Sequence, residues 1–337
     1  MHRSEIMIDL GAIRHNARRL LDALDGSELW AVVKADGYGH GAVDVGRAAL
    51  EAGASVLCVA AVDEGLELRR ALPEARILVM GPTDEIAAAR EARLELTVSR
   101  DGAIPDGVPV HLKLDSGMGR WGLAKLPEPP ANVVGLMTHL ATADGDPDFA
   151  AQQLARFAAM TEPYAHLNRH AANSAAALRI PEARFDAARC GIALYGISPF
   201  DTDPAEDGLK PALAWRSHLA QVRLLQPGES TGYGRRFIVE RPTWIGIVPL
   251  GYADGFRRDM TGTEVLVDGE PCRAVGTVSM DAFAVELDRE LAVGTPVTIV
   301  GDGLLIERHA AQAETIGYEI PCGINSSPER ARRQIVG

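Results

Sequence analysis

The sequence predicts an α/β protein: an N-terminal (β/α)8 TIM-type barrel followed by a C-terminal, mainly antiparallel β domain. Three observations support this. Over the first two-thirds of the chain, short apolar runs alternate with amphipathic helical stretches, as parallel strands with returning helices require. A Pro/Asp/Gly-rich segment, residues 202–210, then interrupts the rhythm. After it, short alternating runs are separated by turn pairs such as Pro227-Gly228, Asp268-Gly269 and Asp302-Gly303.

Residues 9–24 carry apolar side chains at helical spacing and predict a helix ahead of the first strand. Barrel strands are expected at residues 29–35, 56–60, 76–81, 94–98, 108–115, 133–140, 170–174 and 187–196. Helices are expected between them at 42–51, 63–71, 84–93 and 149–166. Eight such strands close a parallel barrel, and the span is compact enough that some helices must be short. The second domain should hold strands within 213–225, 244–249, 263–267, 273–278, 282–287 and 296–300, with one helix at 307–315. The expected domains are residues 9–205 for the barrel and residues 1–8 plus 211–337 for the β-rich domain.

Composition bounds the function. The 337 residues are 47% hydrophobic and 24% charged, ordinary for a globular protein. A net charge of −12 argues against nucleic acid or an anionic membrane as partner. Cys58, Cys190, Cys272 and Cys322 form no CxxC pair and no zinc spacing, so reduced thiols and no metal are expected. The first residues, Met1-His-Arg-Ser-Glu-Ile, lack an apolar signal core, and no apolar run is long enough to span a bilayer. The expectation is a cytoplasmic protein.

Lys34 is the first candidate for chemistry. It ends the apolar run Leu29-Trp-Ala-Val-Val-Lys34 and opens a glycine-rich turn. Burying an ammonium is costly, burial lowers its pKa, and a neutral amine attacks aldehydes. That combination suggests pyridoxal phosphate. Other chemistry-bearing residues fall at successive strand ends, where barrels build their sites: Lys113, Asp115 and Arg120; Thr138-His139; Asn173-Ser174; and Arg189, Gly191 and Ile192. Ser174, Gly191 and Ile192 follow the seventh and eighth strands, a frequent phosphate position, and Tyr38 could add a phenol. The plainer alternatives are a helix N-cap for Ser174, a strand-end ion pair for Lys113 and Asp115, an Arg189–Asp186 pair, and a turn role for Tyr233 between two glycines.

An ordered set of motifs carries a resemblance: AVVKADGYGHG (31–41), HLKLDSGMGR (111–120), THLATAD (138–144), HAANSA (170–175), RCGIALYG (189–196), GYG (232–234), PLGYADG (249–255) and SMD (279–281). Together they resemble the alanine racemase family, fold-type III pyridoxal-phosphate enzymes, from Ile8 to about Cys322. The resemblance implies racemisation of L- and D-alanine by two bases, likewise D-alanine supply for peptidoglycan, in a homodimer with shared active sites. Lys34 would hold the cofactor and act as one base; Tyr233, from the partner subunit, would be the other. Arg189 would bond the pyridine nitrogen, and His139 would link Arg189 to Tyr233. Arg120 and the partner's Met280 would meet the substrate carboxylate. Lys113 matches a position that members often carbamylate, and Asp281 a supporting one. Tyr38, Ser174, Gly191 and Ile192 would hold the phosphate.

The chain also departs from the family pattern. Ser326 stands where a tyrosine is usual, Thr277 where arginine is common, Ser279 where cysteine is common, and Cys190 is unusual in its motif. Losing the phenol should widen the pocket, so some serine turnover is expected. Competing readings are a racemase preferring serine or another amino acid, a non-catalytic pyridoxal-phosphate-binding protein, an amino-acid decarboxylase, and a dinucleotide-binding oxidoreductase. The last rests on Gly37, Gly39 and Ala42 fitting GxGxxA.

Overall fold

The computed structural model describes residues 2–337. The chain forms two compact units, Gly11–Lys210 and a second made of the residues up to Leu10 together with Pro211–Gly337. Strand β1 (Glu5–Asp9) belongs to the second unit.

The first unit is a closed parallel barrel of β2 (Glu28–Val32), β3 (Val56–Val59), β4 (Arg76–Val79), β5 (Glu95–Val98), β6 (Val110–Lys113), β7 (Val133–Met137), β8 (Asn168–His170) and β9 (Ala187–Cys190), with β9 returning to pair with β2. The chain returns between strands through Ala42–Glu51, Val62–Ala71, Ile86–Glu91, Pro147–Thr161 and Ser174–Arg179, while residues 99–109 and 114–132 cross over without a helix. Several strands stop before the apolar runs do. Val33, Ala171, Ala172, Ile192 and Ala193 are all fully buried just past the strand ends, so hydrophobicity continues where the regular strand has ended.

Aliphatic layers usually fill such a barrel. Here part of the interior is polar. Trp30 of β2 packs on His111 of β6 and His170 of β8, with centroids 5.5 and 4.3 Å apart. Glu95 of β5 and Arg189 of β9 are buried with them.

The second unit adds β10 (Leu213–His218), β11 (Gln221–Leu225), β12 (Ser230–Thr231), β13 (Phe237–Ile238), β14 (Thr243–Val248), β15 (Glu264–Val267), β16 (Glu270–Val275), β17 (Phe283–Leu287), β18 (Pro296–Val300) and β19 (Arg332–Val336). Nine of its strands form one sheet in the order β11-β14-β17-β16-β15-β18-β10-β1-β19, antiparallel throughout except β1 with β19. Phe256 stacks on Phe283 at 3.9 Å within its core. The run 213–225 is two strands rather than one, because Leu219 and Ala220 turn their N–H groups to Thr295 and Ile247. Strands β1, β12, β13 and β19 and the helix Glu319–Gly323 have no counterpart in the sequence expectations.

Candidate active site

Lys34 follows β2 after a single residue and is half-buried. The next four residues wind left-handed, with φ of 52° at Ala35, 49° at Asp36, 61° at Gly37 and 54° at Tyr38. Only Gly37 adopts that conformation without strain; each of the others costs about 1–2 kcal/mol. Local bonds offset the strain. Gly37 and Gly39 donate to the carbonyls of Val33 and Ala35 at 2.9 and 3.0 Å. Glu64 accepts from the Ala35 amide at 2.7 Å, and its other oxygen accepts from Ala60 and Ala61. Asp36 accepts from Ala42 at 2.9 Å, which ties the turn to the helix Ala42–Glu51. Tyr195 donates to the Val32 carbonyl at 2.8 Å. Sequence reasoning missed Glu64 and Tyr195. A Glu three residues past the N-cap, here Ala61, is a capping signal, and that signal could have found Glu64.

Lys34, Lys113, Arg120 and Arg189 form a cationic group around His139. Burial pulls the Lys113 ammonium down to about 8, with Arg189 and Arg120 adding to the shift and Asp115 opposing it. Lys113 Nζ and Arg120 Cζ lie 5.5 and 5.6 Å from the Trp121 ring. Asp115 mainly shapes the loop, accepting the amides of Gly117 and Gly119 at 2.9 and 3.1 Å. His139 lies 3.4 Å from Arg189 Nη2; burial and then Arg189, Lys113, Arg120 and Lys34 hold it down to about 3, so its imidazole is neutral.

Arg189 is 4% exposed. Its Nη2 donates to the Thr138 carbonyl at 2.7 Å, and its Nη1 to the His170 carbonyl at 2.8 Å and to His170 Nδ1 at 2.7 Å. Burial lowers its pKa to about 10, which leaves it protonated at neutral pH. The expected alternative of a pair with Asp186 does not hold, because Asp186 accepts from the Arg169 amide at 2.7 Å.

A further correction concerns Ser174. Strand β8 ends at His170, and Asn173 is the helix cap, accepting from Ala176 at 3.0 Å. Ser174 is freed from capping, and its Oγ accepts from Gly191 and Ala193 at 3.1 and 3.3 Å. With both acceptor positions filled, its own hydrogen points elsewhere. A Cβ on Gly191 would lie 2.5 Å from the Tyr38 hydroxyl, so the absence of a side chain there lets the phenol approach. Ile192 is fully buried and opens the short turn Ile192–Tyr195. Two hydroxyls and a glycine-lined backbone at one strand end fit a phosphate ester. Among the described residues, no cluster of His, Cys, Asp and Glu is arranged to hold a metal ion.

The second unit holds Tyr233 and Met280. Tyr233 lies between β12 and β13, 74% exposed, with its carbonyl accepting from Thr277 at 2.9 Å. Met280 is 51% exposed. Asp281 binds Arg330 at 2.5 Å.

The two units match two family models, "Alanine racemase, N-terminal domain" over residues 8–199 and "Alanine racemase, C-terminal domain" over residues 212–332. The chain belongs to the alanine racemase family. It is 41% identical to an alanine racemase of Geobacillus stearothermophilus, over 94% of this chain and 90% of that one. It is 38% identical to alanine racemase 1 of Bacillus subtilis, over 96% and 91%. The crystal structure of alanine racemase from Streptomyces lavendulae superposes with a TM-score of 0.91 at 35% identity, over 100% of this chain and 98% of that one. The alanine racemase of Streptomyces coelicolor gives 0.91 at 37% identity, over 99% and 98%. Family and fold together exclude the dinucleotide reading, since the sheet is closed between β2 and β9 rather than open at a switch point.

Proposed function

We propose that the protein interconverts L- and D-alanine with pyridoxal 5'-phosphate. The observation that carries this reading is the agreement of both alanine racemase models with a chain whose Lys34 and Arg189 sit at strand ends of one barrel. The residues present fit the cofactor: an amine for its aldehyde, a guanidinium for its ring nitrogen, and Tyr38, Ser174, Gly191 and Ile192 for its phosphate. When bound, the cofactor supplies the aldehyde that captures the amino acid and the ring that spreads the negative charge left at Cα.

Racemisation removes a proton from one face of Cα and returns one to the other. A single base returns the proton to the face it came from, so two bases are needed. Lys34 serves one face and Tyr233 of the partner subunit the other, which makes the enzyme a homodimer with shared sites. The 74% exposure of Tyr233 within its own chain supports that assignment. Arg189 keeps its proton at neutral pH; facing the ring nitrogen of the bound cofactor, it would leave that nitrogen unprotonated, limit charge delocalisation and disfavour transamination. Arg120 and the partner's Met280 hold the substrate carboxylate. No helix among the described residues is long and apolar enough to cross a membrane. A cytoplasmic location and a role in D-alanine supply for peptidoglycan complete the reading.

The direct test is racemisation of alanine, serine, lysine and arginine with added cofactor, followed by chiral chromatography. Brisk alanine turnover and slower serine turnover are expected, because Ser326 replaces a phenol. Absence of D-serine would refute the widened pocket, and absence of D-alanine the function itself.

Lys113 has a separate expected outcome. Its neutral amine can add carbon dioxide, forming an N–C bond and releasing a proton, to give Arg120 an anionic neighbour. Because the ammonium titrates near 8, the reactive form grows as pH rises through that value. Carbon-13 NMR with labelled bicarbonate should show a carbamate in the wild type and none in Lys113→Met.

A further inference from the structure

A buried cation normally has an anion beside it. Among the described residues Arg189 makes no ion pair, and its hydrogen bonds go to carbonyls and imidazoles. One of those imidazoles begins a chain. Arg189 Nη1 donates to His170 Nδ1 at 2.7 Å, His170 Nε2 lies 2.9 Å from His111 Nδ1, and His111 Nε2 lies 2.9 Å from Glu95 Oε2. A guanidinium only donates. His170 Nδ1 therefore accepts, and the ring's proton sits on Nε2. That proton goes to His111 Nδ1, so the proton of His111 sits on Nε2 and reaches the Glu95 carboxylate. Every bond points one way, from cation to anion through two neutral rings.

The backbone is cut to admit this chain. His111 is on β6 and His170 on β8, with β7 between them. At the crossing β7 has Gly135, whose Cβ would lie 2.2 Å from His111 Nδ1. Gly135 has no positive φ that would require glycine. Its missing side chain is explained by the ring beside it. The protonation states agree: burial lowers the pKa of both histidines, and although burial alone would raise that of Glu95, bonds from His111 and Arg76 bring it to about 2.

We infer that Glu95, acting through His111 and His170, is the counter-ion of Arg189 and fixes the orientation in which its guanidinium meets the cofactor ring. Glu95 and His111 are positioning residues. The inference rests on the proposed role of Arg189 toward that ring.

The test uses nitrogen-15 histidine NMR on the full-length protein, with and without cofactor, beside the kinetics of three variants. Wild type should show His111 and His170 as Nε2–H tautomers that do not titrate near neutral pH. An Nδ1–H or cationic ring at either position overturns the proposal. Glu95→Gln keeps the acceptor and loses the charge. It should shift the His111 and His170 signals and lower kcat about tenfold with little change in KM, the difference between a charge-assisted and a neutral hydrogen bond. Gly135→Ala should displace the His111 ring and lower kcat similarly. Arg76→Met removes the other partner of Glu95, bonded at 2.9 Å, and should lower Tm but not kcat. Equal kcat losses in Arg76→Met and Glu95→Gln would mean that Glu95 serves stability alone, and an unchanged kcat in Glu95→Gln would also overturn the proposal. If Glu95→Gln does not fold, the wild-type spectrum and Gly135→Ala decide. Wild type without racemase activity would sink the functional reading while leaving the tautomers as stated, so the two failures are separable.

Discussion

Mixing Lys34→Ala with Tyr233→Phe should restore racemisation well above the level of either variant alone. Each variant by itself loses one base, and a positioned acid–base group contributes on the order of 10²–10⁴ in rate. Lys34→Ala should fall further, because it also loses the covalent hold on the cofactor. In a two-fold dimer with shared sites, a mixed pair has one site with both defects and one with none. Random reassociation makes half the dimers mixed, so about a quarter of wild-type activity should return. If both bases came from one chain, no mixed site would be intact and the activity of the mixture would stay at the level of its components. Borohydride trapping adds a check on the chemistry: the pyridoxyl label should map to the peptide containing Lys34 in wild type and Tyr233→Phe, and to no peptide in Lys34→Ala.

Replacing Arg189 by glutamate should raise the ratio of transamination to racemisation by on the order of tenfold or more, since a carboxyl partner keeps the ring nitrogen protonated and prolongs the delocalised charge. The carboxylate would also face the carbonyls of Thr138, His170 and Ala171, which now accept from the guanidinium. Stability should therefore fall, and Arg189→Lys serves as the control, being cationic but unable to reproduce the fork of bonds. If Arg189→Glu racemises poorly and the ratio does not change, Arg189 does not set the reaction's outcome.

Much of this protein was legible before any coordinates. The barrel strands announced themselves because both faces of a parallel strand are buried and read as apolar runs. Their ends were not legible, since Ala171 and Ile192 are as buried as the strands they follow. Strand β1 was hidden in five residues, Glu-Ile-Met-Ile-Asp, too short to stand out until β10 and β19 flank it. Lys34, Arg120, His139 and Arg189 were singled out from motif and position, and the barrel brings them into one electrostatic neighbourhood with Lys113. The chain from Arg189 to Glu95 was invisible, because its residues lie 16, 59 and 19 positions apart. No local pattern marks Gly135 either, whose meaning depends on a ring from another strand.

Barrels usually divide their labour: one rim performs the chemistry and the opposite rim supports the fold. The polar interior here crosses that division. Arg76 and Glu95 open their strands at the supporting rim, and Arg189 lies near the reacting one. Arg76 is half open to solvent, so water at the far floor is only a few bonds from the innermost cation. An engineer who replaces Glu95 on that floor to harden the protein is therefore also adjusting the voltage at its mouth.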